Sequence, residues 1–532
     1  MTGSDTRGRA ARWISGVAVL ALAGGTAALG IALPRADVAA TGATEVDVPA
    51  GTTSLVCPGP LTLPEESDAG GSAFSRVPVD PVQRISAVDL SGGSAATLTP
   101  LGGAASALSG GSATLRDLSA PAVLSAPAQD GQAARIVGTT SAVTTDGDLR
   151  GLAAGSCTTA ASDVWLVGGS TELESTADLV LVNPGVTTAQ VSLTMWGPAG
   201  PVDLSTSADV LVAPQSSRTV VLPGVAAEQR RIVVHAQASG GQVSAYLQDS
   251  LLDGLTPRGT DLVTAGTAPA DQQIVPGLML QQTAVDDPDA AQLRLVAPGD
   301  TAATVSVTLV GPDGEVPLAG AQDLTLDPGI VTDLSLGGLP AGPYTAVVEA
   351  DHPVVAGASL AREGKAGEQD SVPRMDRTWA ASTGTDGGVA ARPAGADARL
   401  MLSVLAADDA AVSTPADTPS PTPTQGQLPT DEETATGPTV EVTVRTYGAR
   451  GLLGEHQVSV GVGSTDRVDL ADLDADTTAV EVVAPEGVRI AWSLFTWTTV
   501  DDGDLIAVVS TVSDPGGAST VRVRPADRAG LG

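Results

Sequence analysis

The sequence predicts an all-β protein: tandem immunoglobulin-like β-sandwich modules after an N-terminal signal or anchor helix. Three observations predict it. Turn residues are spread through the whole chain, with 62 Gly and 37 Pro in 532 residues, which suits many short strands and disfavours long helices. Hydrophobic residues make up 42% but aromatics only 2%, so the cores must be thin and aliphatic, as where one sheet packs on another. Finally, one order of strand and turn signals occurs three times along the chain.

The N-terminus carries Arg7, Arg9 and Arg12 ahead of an uncharged apolar run, Trp13–Leu33. Positive charge before such a run holds the N-terminus inside and exports the chain beyond it. The run is close to the ~20 residues a spanning helix needs, and Val38-Ala39-Ala40 supplies small residues for a cleavage site. Residues 1–40 therefore read as a cytoplasmic tip plus a signal peptide or transmembrane anchor. The chain is expected to be extracytoplasmic, anchored by residues 13–33 or secreted after cleavage near Ala40, touching the membrane only through this segment.

Cys57 and Cys157 are the two cysteines. An even count in an exported chain points to one disulfide. Residues 41–160 hold both and are rich in Ala, Gly and Ser, with weak alternation and no helical period. They read as a disulfide-bounded, loosely packed β region.

The repeat begins beyond it. Leu179-Val180-Leu181 returns as Leu293-Arg294-Leu295 and as Leu400-Met401-Leu402, and Val191-Ser192, Val305-Ser306 and Val412-Ser413 come at the same distance in each copy. GPAG (Gly197–Gly200) and GPDG (Gly311–Gly314) then read as hairpin turns. Later strand pairs also match: VLVAPQSSRTVVL, LTLDPGIVTDLSL and VSVGVGSTDRVDL, then the stretches ending at Leu247, Leu360 and Leu494. Trp165, the run Ile274–Leu280 and Arg377-Thr378-Trp379 occupy the place of an opening strand in each copy. This divides the chain into sandwich modules at 161–270, 271–375 and 376–532. The last is interrupted by a Pro/Thr-rich loop at 413–438, which has no apolar periodicity.

The run Asp148–Gly185, with its Arg150-Gly151-Leu152, Cys157, Trp165-Leu166-Val167-Gly168-Gly169 and Asn183-Pro184-Gly185, resembles the signature region of an uncharacterised family of exported actinobacterial proteins, a domain of unknown function. The likeness extends over roughly Val46 to Ser510. It implies export, and no catalytic residues.

Chemistry finds little purchase. A formal charge of −34 repels phosphate backbones, so nucleic acid is excluded as a partner. His235, His352 and His456 fall in different modules at non-equivalent positions, with His352 in an Asp-His-Pro turn, so no triad or zinc site is expected. Asp469, Asp472, Asp474 and Asp476 lack the glycine and glutamate of a calcium loop and read as solvated turns, as do Asp501, Asp502 and Asp504. Trp492, Phe495 and Trp497 form the one aromatic cluster; in a strand Phe495 and Trp497 share a face and Trp492 points the other way. No catalytic, cofactor-binding or metal residues are assigned and no cofactor is expected. The sequence points to a non-enzymatic exported cell-envelope protein with a structural or protein-interaction role, its partner another envelope protein or a polysaccharide. The alternatives are a polysaccharide-binding accessory protein of envelope biosynthesis and a hydrolase with an unrecognised site.

Overall fold

The computed structural model describes residues 44–48, 50–62, 80–93, 95–367, 372–407, 411–412, 437–513 and 519–523. The apolar run Trp13–Leu33, the cleavage site near Ala40 and most of the Pro/Thr-rich loop lie outside the described residues. Among the described residues, no helix is long and apolar enough to cross a membrane. The chain forms two compact units, Met1–Pro49 with Ala518–Gly532, and Ala50–Gly517. The described part of the first is an antiparallel ladder in which Thr44 faces Val523 and Val48 faces Ser519.

The second unit is all-β. Each of its sandwiches is built from two sheets with a fixed strand order. In the copy beyond Cys157, Asp163–Val167 pairs with Val233–Ser239, which pairs with Ala189–Gly197. Facing this sheet is another, in which Ser216–Val221, Ser175–Asn183, Ser244–Asp253 and Thr256–Val263 lie side by side. Alternation decides which residues fill the space between. In Ala189–Gly197, Ala189, Val191 and Leu193 are buried while Gln190, Ser192 and Thr194 are exposed, as a half-buried strand requires. Leu179, Leu181, Val191, Met195, Val234 and Leu247 then form a core drawn from both sheets.

The expected hairpins are present. Gly197 faces Gly200, Gly311 faces Gly314 and Gly448 faces Gly451, each across a two-residue turn. The later strand–turn–strand pairs behave differently. Asp209–Val212 joins one sheet and Ser216–Val221 the other; Val233–Ser239 and Ser244–Asp253 divide in the same way. These connections are corners between layers, and they are what turns a repeat of strands into a sandwich.

Residues 53–156 keep the same order. Thr53–Cys57, Ala122–Ala126, Thr97–Pro100 and Ser106–Ala107 form one sheet, and Ser112–Arg116, Val82–Asp89, Ile136–Thr144 and Gly151–Ser156 the other. The strand plan thus occurs four times among the described residues. The expectation of loose packing in this segment is corrected: Leu55, Ile85, Leu98, Leu124 and Ile136 are each at most 1% exposed and share a core with Cys57 and Cys157. Ala and Gly between these few large side chains let the two sheets approach closely, so small residues here mark tight packing.

Two further corrections concern strand identity. Arg377-Thr378-Trp379 lies in Met375–Ala381, which pairs with Gly357–Glu363 and closes the third sandwich; the fourth opens with Gly388–Ala391. His352 sits inside the continuous strand Gly342–Glu363, which passes from one sheet of the third sandwich into the other, and so is not in a turn. Asp397–Ala407 and Thr439–Gly448, on either side of the Pro/Thr-rich stretch, contribute Leu400, Leu402, Val442 and Val444 to one core. The chain before and after that stretch therefore builds a single sandwich.

Candidate functional site

The last strand of each sandwich is the edge of its sheet: Gly151–Ser156, Thr256–Val263, Met375–Ala381 and Gly503–Ser510. An edge strand presents unpaired N–H and C=O groups and is a liability when left open. Here the four edges pack in a cycle, each against the next and the fourth against the first. We term them the inner strands.

Two aspartates supply the acceptors that the inner strands lack. Asp261, on the second inner strand, accepts hydrogen bonds from the Ala154 N–H of the first at 3.2 Å, and from the Trp379 N–H and Thr378 hydroxyl of the third at 2.8 and 2.7 Å. Asp376, on the third, accepts from the Leu152 N–H of the first at 3.2 Å and the Ile506 N–H of the fourth at 2.6 Å. The Thr378 Oγ1 accepts the Val508 N–H at 2.9 Å, and the Ser156 hydroxyl donates to the Ser510 carbonyl at 2.6 Å. All four seams are thus bridged by side chains. Both carboxyls are buried, and burial pushes Asp261 well above its ordinary value and Asp376 up to about 7, against the opposing pull of the N–H donors.

Arginines close the ends of this arrangement. Fully buried Arg150 grips Asp502 with Nε and Nη2 at 3.2 and 3.1 Å and donates from Nη1 to the Met375 carbonyl at 3.1 Å. Arg374 reaches the same Asp502 at 3.1 Å, and the two guanidinium groups hold its carboxyl below the usual carboxylate range against the upward effect of burial. Asp249 accepts from Arg377 and from the Trp379 indole, both at 2.7 Å. Close approach explains two glycines. A side chain on Gly151 would begin 2.8 Å from the Asp376 carboxyl and the Thr260 backbone, and one on Gly259 would begin 2.3 Å from the Arg377 nitrogen.

The residues that stand out in the sequence occupy varied places. Cys57 and Cys157 form the disulfide; it joins the opening strand of the first sandwich to the end of its inner strand. Arg150-Gly151-Leu152 of the signature run belongs to the inner-strand network, and the Asn183 side chain folds the Asn-Pro-Gly turn by accepting from Gly185 and donating to Thr187 and Val212. His235 stacks on Trp165 with ring centres 4.1 Å apart and lies 3.3 Å from Asp163. His352 is exposed beside Asp351, and His456 bonds Asp474 at 2.9 Å. Each histidine thus has a separate local carboxylate, on a different sandwich. Of the acidic turns, Asp469 pairs with Arg399 and Asp474 is held by His456 and Thr446. No group of three or more His, Cys, Asp or Glu that could hold a metal ion occurs among the described residues. Trp492 lies in the fourth core, while Phe495 and Trp497 stack on the opposite face with centroids 6.4 Å apart. Trp165, Trp196 and Trp379 are buried: Trp165 and Trp196 pack with Val296, Val331 and Val355 of the third sandwich, and Trp379 enters the core of the second.

Nothing in the sequence pattern singled out Asp261 or Asp376; Arg150 was named only in the signature run, and Asp502, read as a solvated turn, is instead paired with Arg150 and Arg374. The available signal was positional. Leu247 and Leu360 are equivalent in the repeat, and two residues beyond each, Asp249 and Arg362 face Asp261 and Asp376 across the ladder.

No curated protein matches this chain. A solved structure from Thermotoga maritima, of the protein numbered 1070, is 19% identical, covers 21% of this chain and 95% of its own, and superposes with a TM-score of 0.17. The BSP domain of a biofilm-associated protein is 10% identical, covers 91% of this chain and 99% of its own, and gives a TM-score of 0.14. Neither superposition carries an argument about fold or function. A family model does match, over residues 112–437. That span takes in the second and third sandwiches whole, three of the four inner strands and both bridging aspartates, and on it the chain belongs to a family of unknown function, DUF5719.

Proposed function

We propose that the protein is a non-enzymatic, exported cell-envelope protein with a structural or protein-interaction role. The observation that carries this reading is the sealing of four edge strands on one another. Side-chain bridges at every seam and the Arg150–Asp502 pair join the sandwiches, an arrangement suited to holding their outward loops and hairpins at fixed spacing. A disulfide within the first sandwich is at home in an oxidising compartment outside the cytoplasm. On this reading the sandwiches are of immunoglobulin-like type, and residues 13–33 tether the chain to the membrane or are removed near Ala40.

In-cell crosslinking of the tagged full-length chain, followed by identification of the attached proteins, tests the role. Recovery of one or more envelope proteins in defined amount is expected. A chain that crosslinks to nothing in the envelope, or that fractionates with the cytoplasm, would sink the proposal.

A further inference from the structure

The aromatic pair of the fourth sandwich borders a recess of about 480 Å³ at the seam with the third, a size that accommodates a small ligand. Three arginines line it from three strands: Arg362 on Gly342–Glu363, Arg399 on Asp397–Ala407 and Arg467 on Ser464–Asp469. Asp504 is the one carboxylate in the lining. In a chain with 61 acidic and 27 basic residues, such a convergence runs against the composition.

Their partners differ. Arg399 is committed, forming a two-pronged pair with Asp469 while its guanidinium lies 5.0 Å from the Trp497 ring centre. The Arg362 guanidinium lies 5.7 Å over the Phe495 ring. Burial weakens its hold on its proton, and Asp504 strengthens it. Among the described residues neither Arg362 nor Arg467 makes a hydrogen bond or a salt bridge to a carboxylate. A guanidinium presents five N–H donors in a planar fork, and where it is partly desolvated, as at Arg362 but not at exposed Arg467, those donors require acceptors. The fork matches the two oxygens of a carboxylate or phosphate. Partly buried Trp497 adds an apolar wall beside it, packed on Phe495, which is itself 4% exposed, so the recess offers a charged end and an apolar side together.

We propose that this recess binds an acidic saccharide, a pyranose bearing a carboxylate or a phosphate. Arg362 and Arg467 receive the anionic group, Arg399 and Asp469 hold Trp497 in place, and the C–H face of the sugar lies against the aromatic wall. This goes beyond the structural role above and does not depend on it.

The test is a titration of the full-length chain in detergent with trigalacturonate, mannose 6-phosphate, neutral maltotriose and inorganic phosphate, read by tryptophan fluorescence and calorimetry. Saturable binding of trigalacturonate or of mannose 6-phosphate is expected, the one that binds identifying the anionic group, with maltotriose silent. R467Q, at an exposed position, should weaken binding at least tenfold with an unchanged melting temperature, and R362Q should do the same if it folds. Binding should also fall as salt is raised. The proposal is overturned if neither anionic sugar binds, if maltotriose or inorganic phosphate binds as tightly as they do, or if R467Q binds like the parent.

Discussion

Asp261 and Asp376 occupy the same position in successive sandwiches, and each captures backbone amides from two other inner strands. One repeat position has thereby become the fastening of the ring. Its two occupants differ from ordinary β-strand aspartates in being at most 2% exposed.

Asp376 contributes to the pH dependence of stability, and His235, lowered by burial, contributes with the opposite sign. The Asp376 carboxyl titrates near 3.8 in the unfolded chain and at about 7 when folded, because burial disfavours the charge. Between those values the folded state binds the extra proton, so stability falls as pH rises. The contribution is complete below pH ~4 and lost on passing pH ~7, with a ceiling of about 4 kcal/mol. Asp261 is shifted in the same direction. The melting temperature should be higher at pH 5 than at pH 8, and D376N, which mimics the neutral acid, should reduce that difference. A parent whose stability is flat or rising over this interval would contradict the assignment.

Removing Asp261 orphans two amides and a hydroxyl at a buried position. Each unsatisfied group costs roughly 1–3 kcal/mol. D261A should lower the urea-unfolding free energy by about 3 kcal/mol or more, whereas D261N, which keeps one acceptor oxygen, should lose less. Equal losses in the two variants would show that hydrogen-bond acceptance is not the source.

Arg150 has no exposed surface and meets Asp502 with two nitrogens. Arg374 still reaches Asp502, whose side chain is 20% exposed, when Arg150 is removed, so the loss should fall below the ~3–5 kcal/mol of a fully buried pair. R150M should therefore be destabilised, and the double variant R150M/D502L less so. Thermal unfolding of the set provides the double-mutant cycle; additive losses would mean the two residues act independently.

The Cys57–Cys157 bond spans 100 residues, for which loop-closure entropy gives up to about 4.7 kcal/mol. The first sandwich has a core built largely from alanine and a few leucines and should rely on it. C57S/C157S, and the parent in reductant, should unfold at lower denaturant concentration. Hydrogen exchange should quicken most in residues 53–156; quickening spread evenly over all four sandwiches would count against a local role.

Much of this architecture is visible in the sequence. Val191, Leu193 and Met195 alternate with polar residues, and Gly197 and Gly200 mark a two-residue turn, so both strand and hairpin leave a local pattern. The pairing of Phe495 with Trp497 away from Trp492 comes from the same alternation. The first sandwich escaped because Ala, Gly and Ser alternate with too little contrast to show a buried face. Asp261 and Asp376 escaped for another reason. An aspartate opposite a charged residue on a neighbouring strand reads as a solvent face, and only the meeting of strands from four distant segments makes that face an interior. The recess is equally non-local: Arg362, Arg399 and Arg467 come from three strands in two sandwiches.

The Ser156 hydroxyl reaches the Ser510 carbonyl, so the first and last sandwiches are neighbours although most of the chain separates them. A solenoid grows or shrinks by one repeat because its ends are free. A circular array has no free end: deleting one member would strand two seams at once, and an added fifth would find no edge to meet. The number of copies is therefore fixed by closure. The array is also completed only by contacts between the most distant parts of the chain, a high-contact-order step that slows folding and must wait until the final inner strand has been made.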